Sequence, residues 1–383
     1  MKRKLIKFDV IHPADWLASQ KAGRPDIARM DLAEYRAWLN GLRSNYSDYY
    51  THWLNESGEW LAEEYYLLDP DFTDKVARHL FGTVRAAYLR RRQQVLSRVM
   101  RRHLSYRDYV LRAYLREFAP DVVFVRSQPR PSAFWRRVYP GALHVARLSA
   151  RLPNRWHPND FDLIYTDQPD FKTFFELHGT PTILNKQGFD ERLLTETTDN
   201  PRPKGVVFVG GLGTQNFRQR TEFLAELATD VPFDWYGYWW AYGGDGRTLA
   251  DFPALRAAYR GPTSGLAMYQ LYRDAAVCLN DYVDTANGIG YNQRMFEVMG
   301  IGGFLLTRQA PNFTADFPEG VFATYTDAAD CRRQIAYYLD HPDERRAIAE
   351  RGRAFVAEHF GYRQIANDFG QDLDRMLAER AQR

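Results

Sequence analysis

One stretch in the second half of the chain combines glycines with polar and charged residues that suit a nucleotide. Gly288 and Gly290 precede a predicted helix that begins near Asn292 and carries Arg294 and Glu297. Free backbone N–H groups and the helix dipole make such a helix start a site for an anion. Arg294 can bind a phosphate through two parallel hydrogen bonds, and the Glu297 carboxylate, about one turn further along, can accept two ribose hydroxyls. The stretch therefore predicts a nucleotide pocket.

Two apolar runs frame this stretch and position it. Residues 275–280 read as a buried strand that ends in a polar residue, and residues 304–307 read as the next strand. The helix between them is predicted over 292–299, with Asn292 as its N-cap. The predicted nucleotide-binding residues of this part are Asn280, Asn287, Gly288, Gly290, Tyr291, Asn292, Arg294 and Glu297.

A second glycine segment follows another apolar run. Residues 206–209 read as a strand, and Gly210, Gly211 and Gly213 follow it directly. Glycines allow the backbone to approach a diphosphate closely, so Gly210 and Gly211 are added to the predicted site. Arg218 opens the helix that comes next.

A simpler interpretation of these segments stays open. Glycine loops before helices are common in parallel α/β proteins, and a lone Gly-x-Gly is a weak sign of phosphate binding. Glu297 is then an ordinary solvated helix residue. The nucleotide is favoured by the combination, because Met295, Val298 and Met299 recur at helical spacing and supply the buried side of the same helix.

General properties of the chain indicate a two-domain protein of the cytoplasm. Its 383 residues are more than a single hydrophobic core usually supports. A content of 45% apolar and 26% charged residues is typical of a globular protein. No run reaches the ~20 apolar residues that a membrane span needs, and the first residues lack the apolar core of a signal peptide. Cys278 and Cys331 are too few for a disulfide framework or a four-cysteine zinc site.

The first half of the chain reads as a parallel sheet interrupted by a long helical insertion. Residues 5–11 have a strand's composition, strands and short helices alternate again over 120–184, and residues 31–117 read mostly as helices. His12 and Asp15 follow the first strand at the sheet edge where open parallel sheets bind ligands, so they are candidates for a catalytic base. The alternative is a turn with a proline and a capping aspartate.

The insertion carries a strongly basic face. Residues 75–116 hold twelve Lys or Arg against one acidic residue, Asp108, while the net charge of the whole chain is +3. We expect the face from Arg90 to Arg102 to contact an anionic inner membrane surface, because each basic residue there contributes about 1 kcal/mol. An ordinary solvated helix surface is the alternative. Nucleic acid is not expected as a partner, since the aromatic residues fall on the apolar side of the helices and the total charge is balanced.

Two Asp-x-Asp pairs are not assigned to a metal. Asp69 and Asp71 flank a proline and read as a turn that caps the next helix, whereas Asp160 and Asp162 precede their strand rather than follow it. Paired carboxylates do favour hard cations, which keeps a metal at Asp69 and Asp71 as the alternative. The prediction is that neither a metal nor a cofactor is needed.

The second half resembles the C-terminal domain of group 1 (family 4-like) glycosyltransferases, and within that group it is most similar to the CgeB-like branch. The resemblance is carried first by 292–297 and by 302–307. Further matching segments, in the family's order, are 206–210 with Arg220, 234–237 with Trp239 or Trp240, 313–317, 319–320, 336–345, 348–349, Gly352 and 359–363. The resemblance covers about 204–365 well, and the first half only by its strand pattern.

The resemblance implies a GT-B fold, in which two Rossmann-like domains, each a doubly wound parallel sheet, face a central cleft. Residues 1–195 are then the acceptor-side domain, which contains the helical insertion. Residues 204–365 are the nucleotide-sugar-binding domain, and 366–383 form a helix that packs back toward the first domain.

The resemblance also implies the activity. Sugar passes from a UDP-, GDP- or dTDP-linked donor to a cell-surface glycan, lipid-linked or protein acceptor, as in polysaccharide biosynthesis. Arg220 fits the family's basic residue at the donor's phosphates, and Asp281 and Asp284 fall on the loop expected near the sugar. Many members carry a glutamate eight residues before the position of Glu297, where this chain has Ile289, so retention and inversion both stay open. A nucleotide-sugar epimerase on the same scaffold is the alternative activity.

Overall fold

The protein divides into two compact units. A computed structural model describes residues 2–44, 47–100, 105–126, 130–148, 156–185, 187–241, 244–284 and 288–382. The first unit consists of Met1–His12, Leu17–Asn185 and Ala366–Arg383, and the second consists of Pro13–Trp16 and Lys186–Ile365. The main boundary therefore follows Asn185, ahead of residue 195, where the predicted acceptor-side domain ends.

The first unit is built on a six-stranded parallel sheet. Its strands are β1 (Arg3–Asp9), β2 (Trp60–Tyr66), β3 (Val122–Val125), β4 (Leu143–Arg147), β5 (Leu163–Thr166) and β6 (Thr182–Leu184). They are ordered β2-β1-β3-β4-β5-β6, and every neighbouring pair is parallel. The order reverses beside β1, which is the arrangement of a doubly wound sheet.

The insertion over 31–117 is mostly helical, as predicted, but strand β2 also lies within it. This strand pairs with β1 and sets Glu64 directly beside Lys7. Both side chains are buried, and the Lys7 Nζ lies 3.0 Å from the Glu64 carboxylate. A charged residue in the middle of a strand breaks the apolar pattern, and its partner is 57 residues away, so the sequence pattern alone hides the strand.

Helices flank this sheet and make up the rest of the insertion. In chain order they are α1 (Ala14–Ala22), α2 (Leu32–Gly41), α3 (Tyr49–Glu56), α4 (Pro70–Phe81), α5 (Thr83–Met100), α6 (Tyr106–Phe118), α7 (Ala133–Val138) and α8 (Pro169–Leu177). Short 3-10 turns lie at Pro25–Ala28 and Pro158–Asp160. Among the described residues of the chain, no helix combines the length and apolar character that crossing a membrane requires.

The second unit has its own six-stranded parallel sheet. Its strands are β7 (Val206–Val209), β9 (Asp234–Tyr236), β11 (Tyr259–Gly261), β12 (Val277–Asn280), β13 (Leu305–Arg308) and β14 (Ala323–Tyr325), ordered β11-β9-β7-β12-β13-β14. Two short strands, β8 (Leu212–Gly213) and β10 (Trp239–Trp240), pair separately. The predicted alternation of strands and helices around parallel sheets is confirmed in both units.

The helices of the second half follow the predicted pattern closely. They are α9 (Leu193–Glu196), α10 (Arg218–Leu227), α11 (Pro253–Ala258), α12 (Gly265–Asp274), α13 (Gln293–Ile301), α14 (Phe313–Asp316), α15 (Ala328–Asp340), α16 (Pro342–His359) and α17 (Tyr362–Ala381), with a 3-10 turn at Leu249–Asp251. From Ala366 onward, α17 belongs to the first unit. There the Tyr165 hydroxyl donates to Asp372 at 2.9 Å, and the rings of Phe124 and Phe369 lie 4.8 Å apart.

Candidate functional site

The start of α13 is anchored to the end of β12. Asn292 is the N-cap, and its side chain accepts a hydrogen bond from the Met295 N–H at 3.3 Å, which confirms the predicted cap. The Asn292 Nδ2 in turn donates to the Oδ1 of Asn280 at 2.7 Å. Asn280 is fully buried and donates from its own Nδ2 to the Thr307 hydroxyl on β13 at 2.9 Å. Two neighbouring strand ends therefore fix the direction in which α13 begins.

Buried side chains fix the backbone of the glycine segment after β7 through hydrogen bonds. The Thr221 hydroxyl bonds both the N–H and the carbonyl of Gly213 at 2.9 Å. The Trp235 indole donates to the Gly210 carbonyl at 2.8 Å. A Cβ atom at Gly237 would overlap that same carbonyl, so the ends of β7 and β9 come together only because this residue is glycine. The loop is a fixed surface rather than a free turn.

Two arginines meet beside this glycine segment. The guanidinium carbons of Arg220 and Arg294 lie 5.5 and 4.8 Å from the ring centre of Phe208 on β7. Arg220 donates to the Gly211 carbonyl, and to the Asp281 carbonyl at 3.3 Å. Arg294 donates to the Asn280 Oδ1 at 2.9 Å. The guanidinium of Arg294 also lies where a Cβ of Gly210 would be.

The electrostatics of this arginine pair favour an anion. Arg220 is 4% exposed, and burial, followed by repulsion from Arg294, lowers its pKa to about 10. The hydrogen-bond partners of both guanidiniums within the described residues are carbonyl, amide and hydroxyl oxygens, and neither forms an ion pair with a carboxylate there. A negative group placed between them would offset both the desolvation and the repulsion.

Tyr238 is a candidate that the sequence analysis missed. Its ring lies against Gly211, where a Cβ would overlap it. Burial raises the pKa of its hydroxyl, while Arg220 and Arg294 act in the opposite direction. The signal was its place directly after β9, beside the tryptophans that the resemblance singled out. A tyrosine hydroxyl at this position can donate to a phosphate oxygen.

The loop carboxylates expected near the sugar are engaged within the unit. Asp281 is buried and bonds the Arg308 guanidinium through both oxygens at 2.9 and 2.8 Å. Asp284 accepts from the N–H groups of Arg218 and Gln219 at 2.9 and 3.3 Å, so it caps the start of α10. Both carboxylates therefore have partners within the unit, and their contact with the sugar stays a prediction.

The loop before α13 is attached to α14. The Gly290 N–H donates to the Asn312 Oδ1 at 2.8 Å. Burial and a hydrogen bond to Asp316 raise the pKa of Tyr291. Gly288 has a φ of 77°, in the left-handed region that favours glycine. Asn287 lies outside the described residues, and its predicted contact with the donor stays a prediction.

Glu297 lies in a different environment from the one predicted. It is 5% exposed, and its Oε1 lies 3.4 Å from the Tyr269 hydroxyl of α12. The alternative of an ordinary solvated helix residue is therefore wrong. The reason is that α13 packs against α12 on one side and α16 on the other, so the helix is buried from Met295 to Ile301. Its contact with a ribose stays a prediction.

The two candidates for a base lie after β1. His12 is exposed and belongs to the first unit, whereas Asp15 is exposed and belongs to the second. Partial desolvation lowers the pKa of His12, and the nearby Asp9 carboxylate opposes this. A lowered pKa keeps the imidazole neutral near pH 7, which is the form that accepts a proton.

The two Asp-x-Asp pairs have structural partners. The Asp69 side chain accepts from the Asp71 N–H at the start of α4, which confirms the predicted cap, and Lys21 bonds these two carboxylates at 2.6 and 2.7 Å. Asp160 bonds the Ser132 hydroxyl, and Asp162 pairs with Arg136 at 2.7 Å. Within the residues that the structure describes, no group of three His, Cys, Asp or Glu is placed to hold a metal ion.

Comparison with known proteins concerns the fold and the class of protein. Residues 218–371 match a family model described as "Glycosyl transferase-like". A sucrose-phosphate synthase from Thermosynechococcus elongatus superimposes with a TM-score of 0.54 at 12% identity, over 99% of this chain and 100% of that one. An alpha,alpha-trehalose-phosphate synthase (UDP-forming) from Burkholderia vietnamiensis superimposes with a TM-score of 0.55 at 11% identity, over 99% of this chain and 100% of that one. Anabaena HepE in complex with UDP and glucose superimposes with a TM-score of 0.51 at 12% identity, over 97% of this chain and 100% of that one. No curated protein sequence matches the chain.

The chain has the GT-B fold that the resemblance implied, and its residues 218–371 match a glycosyltransferase-like family. At 11–12% identity the structural matches carry the fold, and the family model carries the class through residues 218–371. This segment contains Arg220, Arg294 and the whole of α13. The CgeB-like branch is not addressed by these matches and stays a prediction.

Proposed function

We propose that the second unit binds the diphosphate of a nucleotide sugar between Arg220 and Arg294, over the glycine segment after β7. The observation that carries this proposal is the pair of guanidiniums on Phe208, one of them desolvated and neither of them ion-paired within the described residues. Solved HepE binds UDP and UDP-glucose. A UDP-, GDP- or dTDP-linked sugar fits the same chemistry here.

The transfer breaks the bond between the anomeric carbon and the diphosphate, and the departing phosphate oxygen gains negative charge. Arg220, Arg294 and the N–H groups at the start of α13 would stabilise that charge, which is the role a divalent cation has in other enzymes. The transfer is therefore proposed to be independent of metal and of any cofactor. His12, or else Asp15, would take the proton from the acceptor hydroxyl if the anomeric centre inverts.

The acceptor is proposed to be a cell-surface glycan, lipid-linked or protein glycoconjugate, with the protein held peripherally at an anionic membrane. Support comes from α5, where Arg91 and Arg92 are exposed beside Val84, Tyr88 and Val95, exposed by 86, 63 and 59%. Apolar and basic residues on one helix face suit an interfacial helix. The Arg90 side chain instead pairs with Asp74 at 2.6 Å, and Arg101 and Arg102 lie outside the described residues.

The direct test is a hydrolysis screen of nucleotide sugars, with release of UDP, GDP or dTDP as the readout. We expect one nucleotide to be released by the wild-type protein with EDTA present, and release by Arg294→Gln to fall at least tenfold. Gly41→Ala serves as a matched control, because a Cβ there meets nothing within 4 Å. Absence of release from every donor, or appearance of an epimerised sugar, would contradict the proposed transfer.

The membrane proposal has a separate test. Charge reversal at Arg91 and Arg92 should abolish co-sedimentation with vesicles of phosphatidylglycerol while donor hydrolysis stays unchanged. If the wild-type protein ignores such vesicles even at low salt, the face is a solvated surface.

A further inference from the structure

A cavity lies in the first unit, whereas the proposed donor site belongs to the second. It opens between α4, α5 and α6 and has a volume of about 460 Å³. A second cavity of about 370 Å³ shares Asp74, Arg90, Gln94 and Tyr106 with it, so the two are adjacent. Volumes in this range are those of sites for small ligands.

The cavity lies at the edge of the sheet where ligands are expected. Helix α4 contributes Pro70 and Thr73 just after β2 ends, and Arg130 follows the end of β3. Strand β1 lies between β2 and β3, and all three are parallel. Their carboxyl ends therefore share one edge, which is also the edge where His12 follows β1.

Arginines outnumber carboxylates around the cavity. Arg90 pairs with Asp74 at 2.6 Å, and Arg130 pairs with Asp108 at 2.5 Å. Each pair uses one N–H group of a guanidinium that has five. The arginines that act on Tyr106 or Asp108 are Arg78, Arg90, Arg107, Arg112 and Arg130, against the two carboxylates Asp74 and Asp108. The region therefore has an excess of positive charge.

Arg107 provides the charge that is left over. It lines the cavity and is half-buried, and it forms no ion pair or hydrogen bond with the residues that the structure describes. Arg107 also lies in the first turn of α6, a helix of 13 residues whose N-cap Ser105 makes no side-chain cap bond. The N–H groups of that turn and the guanidinium thus lie at the same end of the helix.

Phosphate is the chemical group that fits these features best. A guanidinium matches two phosphate oxygens at once, and a helix start adds N–H donors to the third. A doubly charged group also neutralises more of the excess positive charge than a single carboxylate does. The open cavity has room for a sugar or a lipid head group attached to the phosphate.

We propose that this cavity binds a phosphate carried by the acceptor, with Arg107 as its main contact and Arg90 and Arg130 beside it. The identification of the ligand with the acceptor rests on the proposed function, but binding of phosphate itself does not. The chemistry is the same for a soluble sugar phosphate and for a lipid-linked phosphate.

Calorimetric titration with inorganic pyrophosphate at low ionic strength tests the site directly. We expect the wild-type protein to bind two ions, one at the donor site and one in this cavity. Arg107→Glu and the milder Arg107→Gln should each lose one of them, with at least tenfold weaker binding. Arg294→Gln should lose the other, and Arg92→Glu, with the same charge change on the exposed face of α5, should keep both.

The outcomes separate this proposal from the donor site. If both Arg107 variants, shown by circular dichroism to be folded, bind two ions with wild-type affinity, the cavity is not a phosphate site and the donor proposal is untouched. If Arg294→Gln binds two ions with wild-type affinity while both Arg107 variants lose one, the donor site fails and the cavity stands.

Two further probes identify the source of the phosphate. Arg107-dependent binding of glucose 6-phosphate indicates a soluble acceptor, and Arg107-dependent binding of vesicles that contain phosphatidic acid indicates a lipid-linked one. If neither probe binds in a way that depends on Arg107, the cavity does not hold an acceptor phosphate.

Discussion

Replacing Arg220 by methionine should leave the protein folded while weakening nucleotide binding. Methionine keeps the length and the apolar stem of the side chain but removes its charge. The guanidinium is 4% exposed, donates to the carbonyls of Gly211 and Asp281, and lies near Arg294. In the absence of an anion, the charge on Arg220 therefore lowers the stability of the folded protein.

The size of this cost follows from the pKa. Burial and Arg294 lower the pKa of Arg220 from 12.5 to about 10, and a shift of this size disfavours the charged form by roughly 3 kcal/mol. Against that, the substitution loses two hydrogen bonds from a charged donor, each of which contributes about 1.5 kcal/mol. The two terms nearly cancel, so we expect the free energy of unfolding of Arg220→Met to lie within about 1 kcal/mol of wild type.

Binding should respond differently. A charged hydrogen bond to a ligand contributes roughly 1.5–3 kcal/mol, so the nucleotide affinity of Arg220→Met should fall about 10- to 150-fold. Urea unfolding gives the stability, and calorimetry with the nucleotide identified by the hydrolysis screen gives the affinity. Arg218→Met is the control, because that exposed arginine on the same helix pairs with Glu222 at 3.1 Å. A loss of more than 3 kcal/mol in stability, or an unchanged affinity, would refute this reasoning.

Four further predictions follow from the structure. Gly210→Ala should weaken nucleotide binding at least tenfold with little change in stability, because its Cβ displaces the Arg294 guanidinium; equal affinity contradicts this. Asn292→Ala should lower the midpoint of thermal unfolding by removing an N-cap worth about 1 kcal/mol; an unshifted midpoint contradicts it. Turnover should survive EDTA, and loss that Mg²⁺ restores would require a metal. Burial lowers the pKa of His144 from 6.5 to about 4, so between pH 6.5 and pH 4 the unfolded state binds a proton that the folded state does not. The free energy of unfolding should therefore fall by roughly 3 kcal/mol as the pH is lowered over this range; in His144→Leu this pH dependence should be weaker.

The sequence predicts most elements of the second half because local signals mark their ends. Helix α15 begins at such a signal, because its N-cap Asp327 accepts a hydrogen bond from the Asp330 N–H. The next helix begins at a proline, and α13 ends in a left-handed glycine, Gly302. Caps, prolines and glycines act within a few residues, so a single sequence reveals them.

The parts that the sequence missed depend on contacts between distant residues. Strand β2 contains Glu64, whose burial is possible only beside Lys7. Glu297 is on a helix of ordinary pattern, and only the packing of α12 and α16 against it removes its access to water. Arg220 is likewise an arginine near a helix start until Phe208 and Arg294 surround it.

The path of α17 has a consequence for the order in which the protein is made. Phe369 is 1% exposed and packs its ring against Tyr50, Phe124 and Tyr165 of the first unit. A ribosome synthesises that phenylalanine only after the whole of the second unit. The first unit therefore emerges first but completes its core last, and it must wait with those three aromatic rings uncovered. A chain released after Ile365 would carry a finished second unit behind an unfinished first one.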